Sequence, residues 1–471
     1  MDGRRRFLVY ITFHCFWIAS FSGNALGATW ITDPSTEIGN GSCGEAPYVR
    51  NSNGADVSPD GATYSCKAGF RISGGRKSIR CLKSGKWSHK PACCPVAFGR
   101  APKCSQRPPR VSQAVTSETR GNCGDSVMYK CKAGYTLFGS NQITCEFNEE
   151  TNTSVWSMKP FCGEHAKYMK LSDTGYVGKM EGTSKLLLSV PHGGYLKADE
   201  ITARIHRKRG CKINGICLHN ITTCTNRPLV CKIHAQQDTY TLEMALEIIH
   251  HLKTSYGIVP HVVINLLHRS RLDANRNWTE APYVYDDVTD RGRKAWLEYE
   301  TSIQQIKSRI PGGILLDLHG QRMNDWTQLG YALKRHQLNS ANLRKPEMSS
   351  INNLYQRFHA KTGETFDSLL SGHYSLGYFL QRYAAQTDYV PSPKFPTPKT
   401  DERKRRFVFS GGYLTKRHGL HDAHFNAIQI EFPNSTRTAS SCKTKHYCKN
   451  VAHAISEFYN LHFGPTAPVN F

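Results

Sequence analysis

Two histidines in this chain share a setting. His192 follows an apolar run in LLLSVPHGG, and His319 closes GILLDLHG, so each stands at the end of a short hydrophobic segment and is followed by glycine. Runs of this length read as buried strands of a parallel sheet, and such sheets hold their ligands outside the carboxyl ends of the strands. Two acids occupy comparable places: Asp238, just ahead of the amphipathic run TYTLEMALEI, and Glu431, in AIQIEFP. In that last segment Gln429 and Glu431 share one face and Ile428 and Ile430 the other. Two imidazoles and a carboxylate at neighbouring strand ends supply nitrogen and oxygen ligands for zinc and leave a fourth position for water. A further carboxylate nearby can take that water's proton. Each residue also has a plainer explanation, since the chain holds 21 histidines and Asp238 fits an ordinary helix N-cap.

A basic stretch belongs to the same chemistry. In HRSRLDANR, the residues Arg269, Arg271, Asn275 and Arg276 follow the strand-like HVVINLL. Guanidinium donors match the two oxygens of a carboxylate, so the segment suits a substrate acid group, with a solvated basic loop as the alternative. Asp273, between the arginines, is read as orienting them and not as catalytic.

The elements that must position these side chains are legible from residue 185 onward. KLLLSV, HVVINLL, GILLDLH and AIQIEF read as strands; TYTLEMALEIIHHLKTSYG and RKAWLEYETSIQQIKSRIPGG carry helical apolar spacing and stop at glycine. Alternating strands and helices predict a mixed, largely parallel sheet with helices on both faces, in one domain over 185–465.

Taken in order, SVPHGG, QDTYT, HRSRLDANR, DLHG and IQIEF resemble the N-formylglutamate amidohydrolase family of zinc hydrolases. The resemblance implies an α/β/α sandwich and hydrolysis of an N-acyl or peptide amide adjacent to a carboxylate. By position it makes His192, Asp238 and His319 the metal ligands and Glu431 the general acid/base. It sets Asn275 and Arg276 on the substrate carboxylate, with Arg269 or Arg271 near the polarised carbonyl; we group Arg271 with Glu431 as catalytic and Arg269 with the substrate-binding pair. Asp199 and Glu200 follow His192 closely enough to compete with Asp238, and Asp317, on the same face as His319, suits a carboxylate behind the imidazole.

The N-terminal third has a different texture. Residues 1–27 have the basic start, apolar stretch and small-residue end of a secretory signal peptide. Sixteen further cysteines and several Asn-x-Ser/Thr sequons accord with an extracellular, oxidising destination. Between Cys43 and Cys162 the order Cys, Tyr, Cys-Lys-Ala-Gly-aromatic, Cys, Trp, Pro-x-Cys occurs twice, in units too short to build a large core without staples. These units, 41–94 and 95–163, resemble sushi (complement control protein) repeats, with 164–184 read as a linker. That resemblance implies small all-β modules with Cys43–Cys81, Cys66–Cys93, Cys104–Cys145 and Cys131–Cys162 pairing. Cys94 and Cys123 are left over, as an extra bridge in the second unit. Cys211, Cys217, Cys224 and Cys231 read as two disulfides in an inserted loop, with a metal cluster as the alternative, and Cys442 with Cys448 as a small closed loop.

The formal net charge of +24, with dense clusters in RIHRKRGCK and KTDERKRRF, favours sulfated glycosaminoglycans or anionic cell surfaces as partners. Nothing marks a nucleic-acid-binding motif. Two further classes compete with a secreted zinc amidohydrolase: a catalytically silent hydrolase fold acting as an extracellular binding protein through its sushi repeats, which would hold an unknown protein ligand, and its basic loops; and a matrix component.

Overall fold

A computed structural model describes the chain between residues 43 and 464, apart from 205–211, 214–215, 218–233, 282–290, 399–407 and breaks of five residues or fewer elsewhere. The expected signal segment, most of the inserted cysteine loop and the KTDERKRRF cluster lie outside the described residues. From Gly41 onward the chain forms one compact unit.

The two N-terminal modules are built alike from short antiparallel strands. In the first, Tyr64 donates to the Pro47 carbonyl (2.6 Å) and Trp87 to that of Glu45 (3.0 Å); in the second, Tyr129 donates to Pro109 (2.6 Å) and Trp156 to Gln106 (2.9 Å). The aromatic rings fill cores of only a handful of buried side chains, which is why disulfides must hold them. All four expected pairings are present. Cys94 bonds Cys123, but not as an internal staple of the second module. Cys94 lies on the strand Ala92–Pro95, which pairs with Phe70–Ser73 of the first, so this bridge joins the two. Asn51 Nδ2 to the Phe147 carbonyl (2.8 Å) and Lys90 to Glu146 (2.6 Å) tie them further.

The remainder is an eight-stranded mixed sheet. Its strands are β1 (Lys170–Leu171), β2 (Val177–Met180), β3 (Leu186–Val190), β4 (His261–Asn265), β5 (Ile314–Gln321), β6 (Thr327–Gly330), β7 (Tyr389–Val390) and β8 (Asn426–Pro433), in the order β1-β2-β4-β3-β5-β8-β6-β7. β4, β3, β5 and β8 run parallel, as do β6 and β7; the other pairings are antiparallel. The segment 164–184, read from sequence as a linker, instead supplies β1 and β2. Its Gly and Lys content hides an edge whose strand character comes from pairing with β4.

Both faces of the sheet are covered. Leu186, Leu188, Val190, Leu316 and Ile430 pack with α1 (Thr241–Tyr256) and the C-terminal helix Tyr447–Phe463. Leu187, Val263, Leu315 and Ala427 pack with Tyr299, Ile303 and Ile306 of α2 (Arg291–Arg309). Alternate residues of each central strand therefore enter different cores, which explains their uninterrupted apolar runs.

The second N-terminal module is not a separate bead. Phe138 is 1% exposed and belongs to the main core of the α/β domain. It stacks on Phe161 (centroids 4.9 Å), which in turn contacts Tyr195 just after His192 (5.3 Å). Gly163 has no side chain because Phe138 and Leu246 of α1 close over it. The first module reaches the domain as well, through Arg50–Asp199 (3.3 Å), Arg291–Glu45 (3.4 Å) and Arg291 donating to the Ala46 carbonyl (2.7 Å).

Candidate active site

The face that β5, β8 and β3 turn toward α2 changes character along its length. It begins apolar with Leu187, Leu315 and Ala427, passes to Ser189, Asp317 and Gln429, and ends at His319 paired in register with Glu431. The polar set falls at the carboxyl ends of three parallel strands, where no following turn of strand covers it. His192 leaves β3 through Pro191. Asp238 precedes α1 but does not cap it: the cap position is Tyr240, in the left-handed conformation (φ 65°), with no side-chain cap bond. That kink frees the Asp238 carboxylate to accept from Gly320 N–H (3.0 Å).

His192, Asp238 and His319 converge, all buried, with one ligand atom of each within 4.8 Å of the others. Asp238 Oδ2 lies 3.3 Å from His192 Nδ1 and 3.3 Å from His319 Nδ1. The other nitrogen of each ring faces a second carboxylate. His192 Nε2 donates to Asp273 Oδ1 (2.6 Å), and His319 Nε2 to Asp317 Oδ2 (2.8 Å). Asp317 is fixed in turn by the Ser189 hydroxyl (2.5 Å), and Asp273 by Arg269 Nε (3.0 Å). Burial alone would raise the Asp273 pKa, but Arg269, His192 and Arg276 hold it well below the usual range, so it can only accept. With Nε2 bonded to Asp273, Nδ1 is the nitrogen that His192 turns toward Asp238.

Ligand atoms at tetrahedral angles and zinc-type bond lengths of about 2.0–2.1 Å stand roughly 3.3–3.4 Å apart. The two nitrogen–oxygen separations have that spacing, and both rings carry the carboxylate support usual for metal-bound imidazole. The charge balance agrees. Burial would lower the His319 pKa, yet Asp317, Asp238 and Glu431 hold it well above its ordinary value. Asp238 is held well below its own against the effect of burial, by His192, His319 and Arg269. This cluster of carboxylates calls for positive charge, which a divalent cation can supply. The geometry is compatible with a bound metal.

Glu431 is 5% exposed; burial, with Asp238 adding to it against the opposing His319, pushes its pKa to about 7. Gln429 Nε2 donates to its Oε1 (2.8 Å) and so fixes the carboxyl group. A carboxyl poised near neutrality can both take and return a proton.

The basic stretch divides. Arg269 faces the site, bonded to Asp273 and 3.5 Å from Asp238 Oδ1. Arg276 turns back on the Asn275 carbonyl (2.8 Å). The Asn275 amide is already engaged, accepting from Leu414 N–H (2.9 Å) and lying 3.1 Å from His319 Nε2, which suits it to holding the site more than to gripping substrate. Arg271 is not brought to the cluster: it donates to the Ile201 carbonyl (2.6 Å), with Asp199 and Glu200 as its charged neighbours, because a two-residue step from Arg269 in this turn aims it the other way. Those two acids are engaged there too, Asp199 with Arg50 and Glu200 with Tyr176 and Arg291, so neither competes with Asp238. Sequence reasoning did not find the Asp273–His192 bond, the Gln429 support or the Gly320 amide; their only trace was proximity to motifs already singled out.

Two other features stand apart. Glu164, His165 and Glu247 also cluster, but Lys443 Nζ already pairs with both glutamates. A cavity of about 310 Å³ lies where the three modules meet, lined by residues including Tyr48, Trp87, Tyr176 and Arg291 and by none of the four site residues above.

Comparison with known proteins bears on the N-terminal part. Residues 47–94 and 104–162 match the Sushi repeat (SCR repeat) model. The chain carries two Sushi repeats. The rat "Sushi, von Willebrand factor type A, EGF and pentraxin domain-containing protein 1" is 37% identical over 93 residues, covering 20% of this chain and 2% of that protein. Human coagulation factor XIII B chain is 35% identical over 108 residues, 22% of this chain and 14% of that one. Human complement factor H-related protein 2 is 32% identical over 123 residues, 25% and 42%. The Sushi repeats thus account for these likenesses. Among solved structures, an N-formylglutamate amidohydrolase from Ralstonia eutropha aligns over 60% of this chain and 97% of its own, at 12% identity and TM-score 0.31; a likeness that low carries no argument about activity.

Proposed function

We propose that the protein is a secreted zinc-dependent amidohydrolase acting on an N-acyl or peptide amide beside a carboxylate. The observation that carries this reading is the pair of 3.3 Å separations from Asp238 Oδ2 to the two Nδ1 atoms, each ring backed by its own aspartate. His192, Asp238 and His319 are the ligands. Bound there, zinc would supply a Lewis acid able to acidify water and polarise a carbonyl. Glu431 then holds and returns the proton, with Gln429 fixing its orientation. Arg269 places positive charge beside the cluster, and with Arg276 it is the candidate for the substrate's carboxylate.

Metal analysis of the purified protein tests the reading directly: near one zinc per chain, lost in His192→Ala and His319→Ala variants, is expected. Glu431→Gln should keep the zinc and abolish turnover of N-acyl amino acids or short peptides. Wild-type protein that takes up no divalent metal refutes the proposal. The Sushi match favours a second role beside it, extracellular binding of a protein ligand.

A further inference from the structure

Arg437 follows the end of β8 and is 3% exposed, yet among the described residues it forms no ion pair. Its guanidinium is spent on three backbone carbonyls. Nε donates to Phe432 (3.1 Å), Nη2 to Gln321 (3.2 Å) and Nη1 to Thr239. Each acceptor is a near neighbour in sequence of a site residue: Thr239 follows Asp238, Phe432 follows Glu431, and Gln321 lies two residues past His319. The group lies flat against Gly320, whose position leaves no room for a Cβ and whose N–H is itself bonded to Asp238.

A buried guanidinium is costly unless its donors are satisfied, and here they are satisfied only by carbonyls from three separate segments. Three different nitrogens of the planar fork each meet their own carbonyl, whereas the three N–H groups of a lysine ammonium diverge from a single nitrogen. The cation is also felt through space by Asp238 and Glu431, the acids in its electrostatic surroundings.

We infer that Arg437 is a positioning residue that locks the backbones bearing Asp238, His319 and Glu431 into one geometry. The inference rests on reading His192, Asp238 and His319 as metal ligands. The fourth segment, with His192, is held separately through Asp273.

The test uses the full-length protein, with Arg437→Lys and Arg437→Ala beside wild type. Zinc affinity is measured by chelator competition, and hydrogen–deuterium exchange by mass spectrometry on the metal-free protein. Outer-shell partners typically contribute 10- to 100-fold to metal affinity, so Arg437→Lys should bind zinc about tenfold more weakly or worse. Exchange should rise at 238–241, 319–322 and 431–433 while α2 stays protected. Guanidinium at low millimolar concentration should restore zinc binding to Arg437→Ala, where sodium chloride does not. Wild-type affinity in the lysine variant, or faster exchange spread over the whole domain without guanidinium rescue, overturns the inference. If wild type binds no zinc the metal reading fails by itself, and the exchange pattern still decides whether Arg437 holds the three segments together.

Discussion

Replacing Asp273 by asparagine isolates the orientation of His192 from its identity. The carboxylate accepts on two sides, from His192 Nε2 at 2.6 Å and Asn275 N–H at 3.2 Å on Oδ1, and from Arg269 Nε at 3.0 Å on Oδ2. Asparagine has one acceptor and one donor end, so it can satisfy only one of them. If its oxygen keeps Arg269, its amide donates to His192 Nε2 and moves the ring proton to Nδ1, the nitrogen that faces Asp238. A protonated Nδ1 cannot bind a cation. If instead the oxygen keeps His192, the amide is pressed against a buried guanidinium and the imidazole loses its charged support. Either way the loss should fall in the 10- to 100-fold range of outer-shell partners, about 1.4–2.7 kcal/mol of metal binding free energy. Chelator competition with zinc gives the affinity, and nitrogen-15 histidine spectra of the metal-free protein report the tautomer. Unchanged zinc affinity in a folded Asp273→Asn variant, with His192 still protonated on Nε2, would refute the argument.

Three further outcomes follow from the structure. Phe138→Ala, in the second Sushi repeat, should cost about 3–5 kcal/mol, the usual range for truncating a buried phenylalanine, and the loss should appear in unfolding of the α/β domain because the ring lies in that core. Denaturant unfolding followed by exchange at β3 and β5 checks this; an effect confined to the repeat would mean the core is not shared. His462 is fully buried, donates Nε2–H to the Tyr374 carbonyl (2.8 Å), and has its pKa lowered by burial to about 4. An imidazole more acidic in the folded state leaves stability intact above about pH 6.5 and removes it as pH falls toward 4, by about 3 kcal/mol for this one group; His462→Gln should flatten the slope of stability against pH in that window. Finally, Gly320→Ala should weaken zinc binding, since the added methyl displaces the guanidinium of Arg437 and with it the amide that Asp238 accepts from; equal affinities would show that the backbone there yields freely.

The sequence by itself determined the elements and much of the candidate site. Buried strands that feed two cores must be apolar throughout, so LLLSV, HVVIN and AIQIEF announced themselves, and a histidine or acid at their carboxyl ends broke the pattern visibly. The resemblance of the cysteine-rich units to sushi repeats implied the staples within each one, and all four are present. What the tertiary structure alone decided are relations between segments far apart in the chain. Whether Asp238 capped its helix or left it depended on the left-handed turn at Tyr240, and whether Arg269 or Arg271 faced the cluster depended on the path of one loop. Cys94 has the same local sequence whether it closes its own module or reaches the next, and nothing around Phe138 marks a ring that completes another domain's core. Local sequence sets periodicity and turn chemistry; the partner of a buried donor or ring is set by the packing of the whole, which no single stretch encodes.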